Sequence, residues 1–387
     1  MTQTFRPSSA REVEDMVRAS LEDASPLELR GQGTKANLGR IVETPRHLDM
    51  STMSGVLLYE PEELVISIKA GTPLIDIETL LAEQNQMLAF EPPHASPTGG
   101  TIGGTLATNG SGPRRVKAGA ARDHLLGVVG VSGFAQSFKS GGRVTKNVTG
   151  YDLSKLMTGA HGTLGVLTEL TLKTVPKPQA ALTLVLAGHT TVDGLQILRR
   201  AAATHMEPSG LAFLPPDAAR TANLADIDGA SATVIRLEGE QSSIMERAAG
   251  LEKALGAPAA LQLDEETSAL LWKKIRDADF FDTIPEHTLW RLSVPPAEAA
   301  RLIAQCHPTA WLADWGGGLI WLHRPTALGP PALNTGIAML ARGDDATRRA
   351  LPFLTPLAPA FIELSRRLKH AFDPQRILNP GRMIEGI

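Results

Sequence analysis

The chain has 387 residues and a mass of 41.2 kDa, which sets an expectation of about two to three domains. Apolar residues make up 43%, charged residues 20%, and the net charge is −3, so no global basic field draws the chain to nucleic acid or anionic lipid. The single cysteine, Cys306, excludes an internal disulfide, a thiolate zinc site and a Cys-ligated iron–sulfur cluster within this chain.

Residues 1–15 carry Arg6, Arg11, Glu12, Glu14 and Asp15 and no apolar run, so no secretory signal is expected there. No apolar stretch approaches the ~20 residues needed to span a bilayer. A cytoplasmic chain is expected, with any membrane association made through partners at the inner face.

In chain order, Ser9-Ala10-Arg11-Glu12 predicts a capping box ahead of a helix that carries Val13, Met16, Val17 and Leu21. Residues 27–29 read as a short strand running into the turn Arg30-Gly31-Gln32-Gly33-Thr34-Lys35. Residues 64–69 read as a buried strand, with Thr72 as the expected cap of a helix from Pro73. Residues 90–112 form a long Gly/Pro/Thr/Ser stretch, followed by strands near 127–131 and 165–172. Val175-Pro176-Lys177-Pro178 is the clearest linker.

Beyond it, strands are expected at 182–186, 211–214, 233–237 and 288–294, with helices at 192–205, 244–255 and 297–306. Trp311 to Leu322 reads as a hairpin turned at Gly316-Gly317-Gly318. This alternation predicts an α+β layer with helices on one face of an antiparallel sheet. A last helix at 360–371 places Phe361, Leu364 and Leu368 on one face.

The densest glycine cluster runs from Pro97 to Gly112. Glycines let main chain approach a bulky anion, and successive N–H groups form a nest for phosphate. Ile102, Leu106 and Ala107 at helical spacing argue against a plain linker. The stretch has no G-x-G-x-x-G with an acidic residue ~20 positions on, and no G-K-[ST], so neither a Rossmann fingerprint nor a P-loop fits. A second cluster runs from Gly141 to Leu156 and leads into Gly159-Ala160-His161-Gly162-Thr163-Leu164-Gly165-Val166.

Four segments carry a specific resemblance: RGQGTK, PTGGTIGGTLATNGSGPRR, KNVTGYDLSKLMTGAHGTLGVLTE and FDPQRILNPGRM. In order and spacing they resemble the PCMH-type FAD-binding domain of the vanillyl-alcohol oxidase superfamily. EPPHASPTGG, AARDHLLG, DWGGG and LNPGRM narrow the resemblance to the GlcE family, the FAD-binding subunits of bacterial three-component glycolate oxidases. The resemblance implies a two-subdomain FAD domain over residues 1–178, a smaller α+β (ferredoxin-like) cap over 179–355, and a segment over 356–387 that returns to the FAD domain.

It further implies that Gly31, Gly33 and Thr34 cradle the pyrophosphate. Pro97, Thr98, Gly100, Thr101, Gly103, Gly104, Asn109 and Ser111 would supply donors along phosphates and flavin. Gly162, Gly165 and Val166 would pack on adenine and ribose, and Arg382 would place a cation near the pyrimidine side of the flavin. Some superfamily members tether FAD through a histidine in the first loop; residues 30–35 hold none, so non-covalent FAD is expected. His94 and His161 are further candidate flavin neighbours.

Oxidising a 2-hydroxy acid needs a carboxylate clamp and a base or metal. No histidine cluster for a metal is evident, and His287, His307, His323 and His370 are scattered. His323-Arg324 is the best candidate base–clamp pair, weighed against a polar strand end. Trp311, Trp315 and Trp321 form either a contact surface or hairpin core. The resemblance implies an oxidoreductase subunit that works with a second FAD subunit and an iron–sulfur subunit on glycolate. The alternative is a self-sufficient FAD-dependent 2-hydroxy-acid dehydrogenase.

Overall fold

The computed structural model describes residues 3–94, 96–143 and 151–387. It falls into two compact units, each described by itself. One comprises Met1–Ser111, Gly119–Lys177 and Leu357–Ile387; the other comprises Gly112–Ala118 and Pro178–Pro356. Residues 144–150, which contain most of the motif KNVTG, lie outside the described residues.

Among the described residues the first unit holds two larger sheets and an antiparallel pair, Gln86–Met87 with Val175–Pro176. Strands Gln3–Phe5, Arg46–Asp49 and Glu28–Arg30 form a parallel trio with Arg46–Asp49 in the middle. The second sheet is antiparallel, in the order Val56–Glu60, Val65–Lys69, Val166–Lys173, Leu125–Val131, Ser137–Gly141. Its apolar positions alternate, and Ile66, Ile68, Leu170 and Leu172 bury against Leu74, Ile77 and Leu81 of helix Leu74–Glu83. Helix Ala10–Glu22 buries Val13 and Val17 against Leu27, Leu48 and Leu378.

Two caps differ from the sequence reading. Ser9 does cap the first helix, accepting from Glu12 N, but the Glu12 carboxylate receives Ser8 N at 2.6 Å, one residue upstream of a standard box. Thr72 caps nothing: its hydroxyl donates to Lys69 O at 2.7 Å and accepts from Gly55 N at 3.0 Å, closing the turn after the strand.

The second unit is built on one antiparallel sheet, in the order Leu261–Leu263, Ala180–Ala187, Ala232–Gly239, Gly210–Leu214, Ala310–Asp314, Leu319–Pro325, His287–Ser293, Ile337–Arg342, Leu354–Thr355. The architecture is α+β. Helices cover both faces rather than one. Helix Thr191–Ala202 lies so close to the sheet that a Cβ on Gly194 would strike Phe213 and the Thr233 hydroxyl. Helix Glu265–Asp277 packs on the opposite face, where Trp272 Nε1 donates to Thr183 Oγ1 at 2.8 Å and Leu271 meets Val185, Ala212 and Val234. The reason is legible afterwards in the strands: every residue of Gly210–Leu214 is buried, so neither face can remain wet.

Gly112–Ala118 groups with this unit although the sequence reading placed it with residues 1–178. Its Arg114 makes a bidentate pair with Glu238, with Nη2–Oε1 at 2.6 Å and Nε–Oε2 at 3.0 Å. Burial alone would raise the Glu238 carboxyl. The charges of Arg236 and Arg114, with hydrogen bonds from Arg114 and Ser209, outweigh it and hold the group at about 2. Trp315 Nε1 donates to Gly112 O at 3.0 Å, and Arg115 stacks on the Trp315 ring at 4.4 Å. Among the described residues no helix is long and apolar enough to cross a membrane.

Candidate functional site

Three glycine-bearing loops and the C-terminal tail of the first unit meet in one cleft. Its walls are residues 29–36, then Thr101, Gly103, Gly104, Ala107 and Thr108, then His161, Gly162, Gly165 and Val166, and finally Asn379 and Arg382. The loops touch one another where side chains are missing. A Cβ on Gly31 would strike the Thr101 hydroxyl, and one on Gly100 would strike the Thr34 hydroxyl. One on Gly162 would lie 2.8 Å from Asn379 Nδ2, and one on Gly103 2.7 Å from Ala70 O. Gly100 and Gly162 also sit at φ +78° and +71°, conformations that L side chains rarely adopt.

The second loop turns into helix Ile102–Ala107, capped by Thr101, whose hydroxyl accepts from Gly104 N at 3.2 Å. The buried Ile102 and Leu106 anchor it in the core, so the glycines present backbone at a fixed place. The tail is fixed equally firmly. Asn379 Oδ1 accepts from Leu29 N at 2.8 Å, and its Nδ2 donates to His161 O at 2.8 Å, stitching the strand Glu28–Arg30 to the third loop. Behind it, Lys369 Nζ donates to Asp373 Oδ2 at 2.8 Å, Thr163 O at 2.7 Å and Leu378 O at 2.6 Å.

The sequence-derived candidates separate into two groups. Gly31, Gly33, Thr34, Thr101, Gly103, Gly104, Gly162, Gly165, Val166 and Arg382 line the cleft. Gly100 packs on Thr34 directly beside it. Pro97, Thr98, Asn109 and Ser111 are not among its lining residues. Pro97 and Thr98 are exposed, and Thr98 Oγ1 donates to Gln32 Oε1 at 2.6 Å. Asn109 Oδ1 accepts from Arg122 N at 3.1 Å and Ser111 Oγ from Ala121 N at 2.9 Å, so both organise the turn that follows the helix.

Arg382 is buried and pairs with Glu28 at 3.1 Å while donating to Lys35 O at 3.2 Å. Glu28 also receives Arg30 at 2.6 Å and His47 at 3.3 Å. The Arg382 charge is therefore partly balanced from within. His161 is held at about 3 by burial first and then by the Arg382 charge, so its imidazole is neutral at physiological pH and is not a general acid. His94 lies elsewhere, with Nε2 3.0 Å from Glu78 of helix Leu74–Glu83.

Asn379 and Lys35 are among the cleft residues that the sequence does not single out. Asn379 stands inside the LNPGRM segment without an expected role. Lys35 closes the RGQGTK loop, and its Nζ lies 3.4 Å from Thr105 Oγ1. A lysine next to glycines ahead of a hydroxyl-rich loop was the available signal.

His323 and Arg324 form no base–clamp pair. They are successive residues of strand Leu319–Pro325, so their side chains leave opposite faces of the sheet. Buried His323 stacks on His287, ring centroids 5.0 Å apart, and Arg324 Nη2 donates to Leu328 O at 3.3 Å. Among the described residues no group of three or more His, Cys, Asp or Glu side chains is placed to hold a metal ion. The tryptophans divide: Trp311 stacks on Phe213 at 5.6 Å, Trp321 packs on the core, and Trp315 lies between Arg115 and Arg291.

The donor set suits a dinucleotide. Turn amides, the hydroxyls of Thr34 and Thr101 and the Lys35 ammonium offer hydrogen bonds to anionic oxygens, while Leu29, Met50, Ala107 and Val166 offer apolar surface for rings.

Comparison with known proteins agrees. Residues 2–133 match the model of an FAD binding domain, and residues 354–383 match the C-terminal domain of FAD linked oxidases. The chain is 35% identical over 377 residues to glycolate oxidase subunit GlcE of Escherichia coli (strain K12), covering 95% of each protein. It is 27% identical to glycolate oxidase subunit GlcD of Bacillus subtilis (strain 168), covering 97% of this chain and 87% of that one. A D-lactate dehydrogenase of Archaeoglobus fulgidus is also 27% identical, with 98% and 90% covered. In fold the chain resembles p-cresol methylhydroxylase, with TM-score 0.72 at 15% identity over 99% of this chain and 88% of that one.

Proposed function

This chain belongs to the FAD-linked oxidase family that includes glycolate oxidase subunit GlcE, and we propose that it is the FAD-binding subunit of a complex oxidising glycolate to glyoxylate. FAD, when bound, supplies the two-electron acceptor that turns a hydroxy acid's carbinol into a carbonyl. The observation that carries the reading is the convergence of residues 29–36, 101–108, 161–166 and 379–382 on one cleft with donors for a dinucleotide.

The chain's residues then have defined tasks. Gly104 keeps a side chain out of the cradle, and Gly31, Gly100 and Gly103 let the segments that carry it pack closely, holding the backbone near the diphosphate. Asn379 and Lys369 lock the tail against the third loop, and Leu29, Ala107 and Val166 exclude water from the ring face. Residues 29–36 contain no histidine, so a tether from the first loop has no counterpart here, and the cofactor is held non-covalently in this reading.

A second flavoprotein subunit carries out the oxidation of glycolate in this reading, and an iron–sulfur subunit takes the electrons onward. Two features support that division. His323 and Arg324 point to opposite faces of their sheet and cannot jointly bind and deprotonate a hydroxy acid. Cys306 alone cannot ligate a cluster, so the electrons pass to an acceptor outside the chain, for which an iron–sulfur partner is the economical choice. The similarity to D-lactate dehydrogenases favours one other reading, a self-sufficient dehydrogenase.

Anaerobic mixing of the flavin-loaded chain with glycolate separates them. The complex-dependent reading expects the flavin absorption to persist in the isolated chain and to bleach only when the partner proteins are added. Bleaching of the isolated chain within seconds would establish the self-sufficient enzyme instead.

A further inference from the structure

Lys35 stands out among the charged groups of the cleft. Its ammonium faces the second glycine loop: Nζ lies 3.4 Å from Thr105 Oγ1 and 3.3 Å from where a Cβ on Gly100 would be. Among the described residues no carboxylate pairs with it. Glu28, the carboxylate paired with the cleft's Arg382, is engaged by Arg30 and His47 as well. Arg382 donates to the Lys35 carbonyl, not to its side chain, and His161 is neutral. Arg30, Lys35 and Arg382 against Glu28 leave an excess of positive charge, and a diphosphate diester brings one negative charge on each phosphorus.

We propose that the half-buried Lys35 is the counter-ion of the cofactor's diphosphate, and that its ammonium form is the one that binds. This rests on the FAD-binding reading and adds to it a charged group where turn amides alone would have sufficed. Desolvation holds the Lys35 ammonium at about 8 in the unliganded chain, well below a lysine in water. An anion seated against Nζ favours the charged form and raises that value. The sign follows: below pH 8 the amine is already protonated and affinity is flat. Above pH 8 each binding event must bring in a proton, so affinity falls as pH rises, approaching about tenfold per pH unit. The other charged or titratable groups facing this region are Arg30, Arg382, Glu28 and His161, and burial holds the His161 imidazole at about 3, far below that window.

The test is FAD titration of the full-length chain stripped of flavin, at pH 7.0 to 9.5, followed by flavin fluorescence, with riboflavin as a ligand lacking phosphate. The expected result is an FAD Kd constant to about pH 8 and rising above it, while riboflavin shows no such rise. Lys35→Arg keeps the affinity and loses the pH dependence, because arginine stays charged. Lys35→Met weakens FAD about tenfold to a hundredfold at pH 7. It leaves riboflavin binding and the far-ultraviolet circular dichroism unchanged, since it removes an unpaired, desolvated cation. An FAD Kd flat to pH 9.5, or Lys35→Met keeping the wild-type slope, would overturn the proposal while leaving FAD binding intact. A chain that binds neither ligand at any pH would overturn the FAD reading itself, and this proposal with it.

Discussion

Gly104→Leu is expected to give a folded chain that purifies without flavin. Gly104 is the position where fold and cradle separate. A Cβ there meets only Thr101 Oγ1 at 3.3 Å and Lys35 Cδ at 3.9 Å, so the backbone accepts it with small adjustments. The residue lies inside helix Ile102–Ala107, where leucine is a better helix former than glycine. The rest of a leucine side chain must go into the cleft that Gly104 lines beside Gly31, Thr34 and His161. Overfilling a packed site costs about 1–3 kcal/mol, which corresponds to about tenfold to a hundredfold in affinity. Gly103→Leu makes the contrast. Its Cβ would lie 2.7 Å from Ala70 O and 2.9 Å from Ala70 Cβ, so that variant loses stability as well as flavin. Denaturation midpoints and flavin content, measured together, distinguish the two.

The second large effect is expected at Asp373. Its carboxylate accepts from Lys369 Nζ at 2.8 Å, Ile377 N at 2.9 Å and Leu378 N at 2.7 Å, and the side chain is fully buried. Asp373→Ala leaves the Lys369 ammonium buried with only carbonyl partners and leaves two backbone N–H groups without their acceptor. Breaking a buried pair from one side costs about 3–5 kcal/mol, a large share of an ordinary domain's stability. The tail carrying Asn379 and Arg382 then loses its anchor, so flavin affinity falls with stability. Lys369→Met/Asp373→Ala removes both charges and is expected to recover part of the stability. It cannot recover all of it, because Ile377 N and Leu378 N still lack their acceptor, and Thr163 O and Leu378 O now lose the Lys369 donor. Urea unfolding of the single and double variants measures the difference.

The cleft was legible in the sequence where physics restricts the residue type. Gly100 and Gly162 combine positive φ with backbone packed against another loop, and only glycine satisfies both. The elements around them were legible for a related reason: strand Val166–Lys173 alternates buried and half-buried positions from Thr168 onward. Lys35 and Asn379 were harder to see, because a lysine or asparagine in a loop is usually solvated. Their meaning comes from partners such as Thr105 and His161, far away in sequence. The same limit hid the attachment of Gly112–Ala118 to the second unit, which depends on Arg114 meeting Glu238 across 124 residues. It also made His323-Arg324 look like a pair, since adjacency in sequence is separation across a sheet.

Backbone hydrogen exchange of the full-length chain, with and without FAD, tests the central claim most directly. If the three loops and the tail grip the cofactor, FAD slows exchange at residues 29–36, 101–108, 161–166 and 379–382 and leaves the strands of the second unit near their unliganded rates. Protection absent from those four segments, or concentrated instead around Arg115 and Trp315, would contradict it.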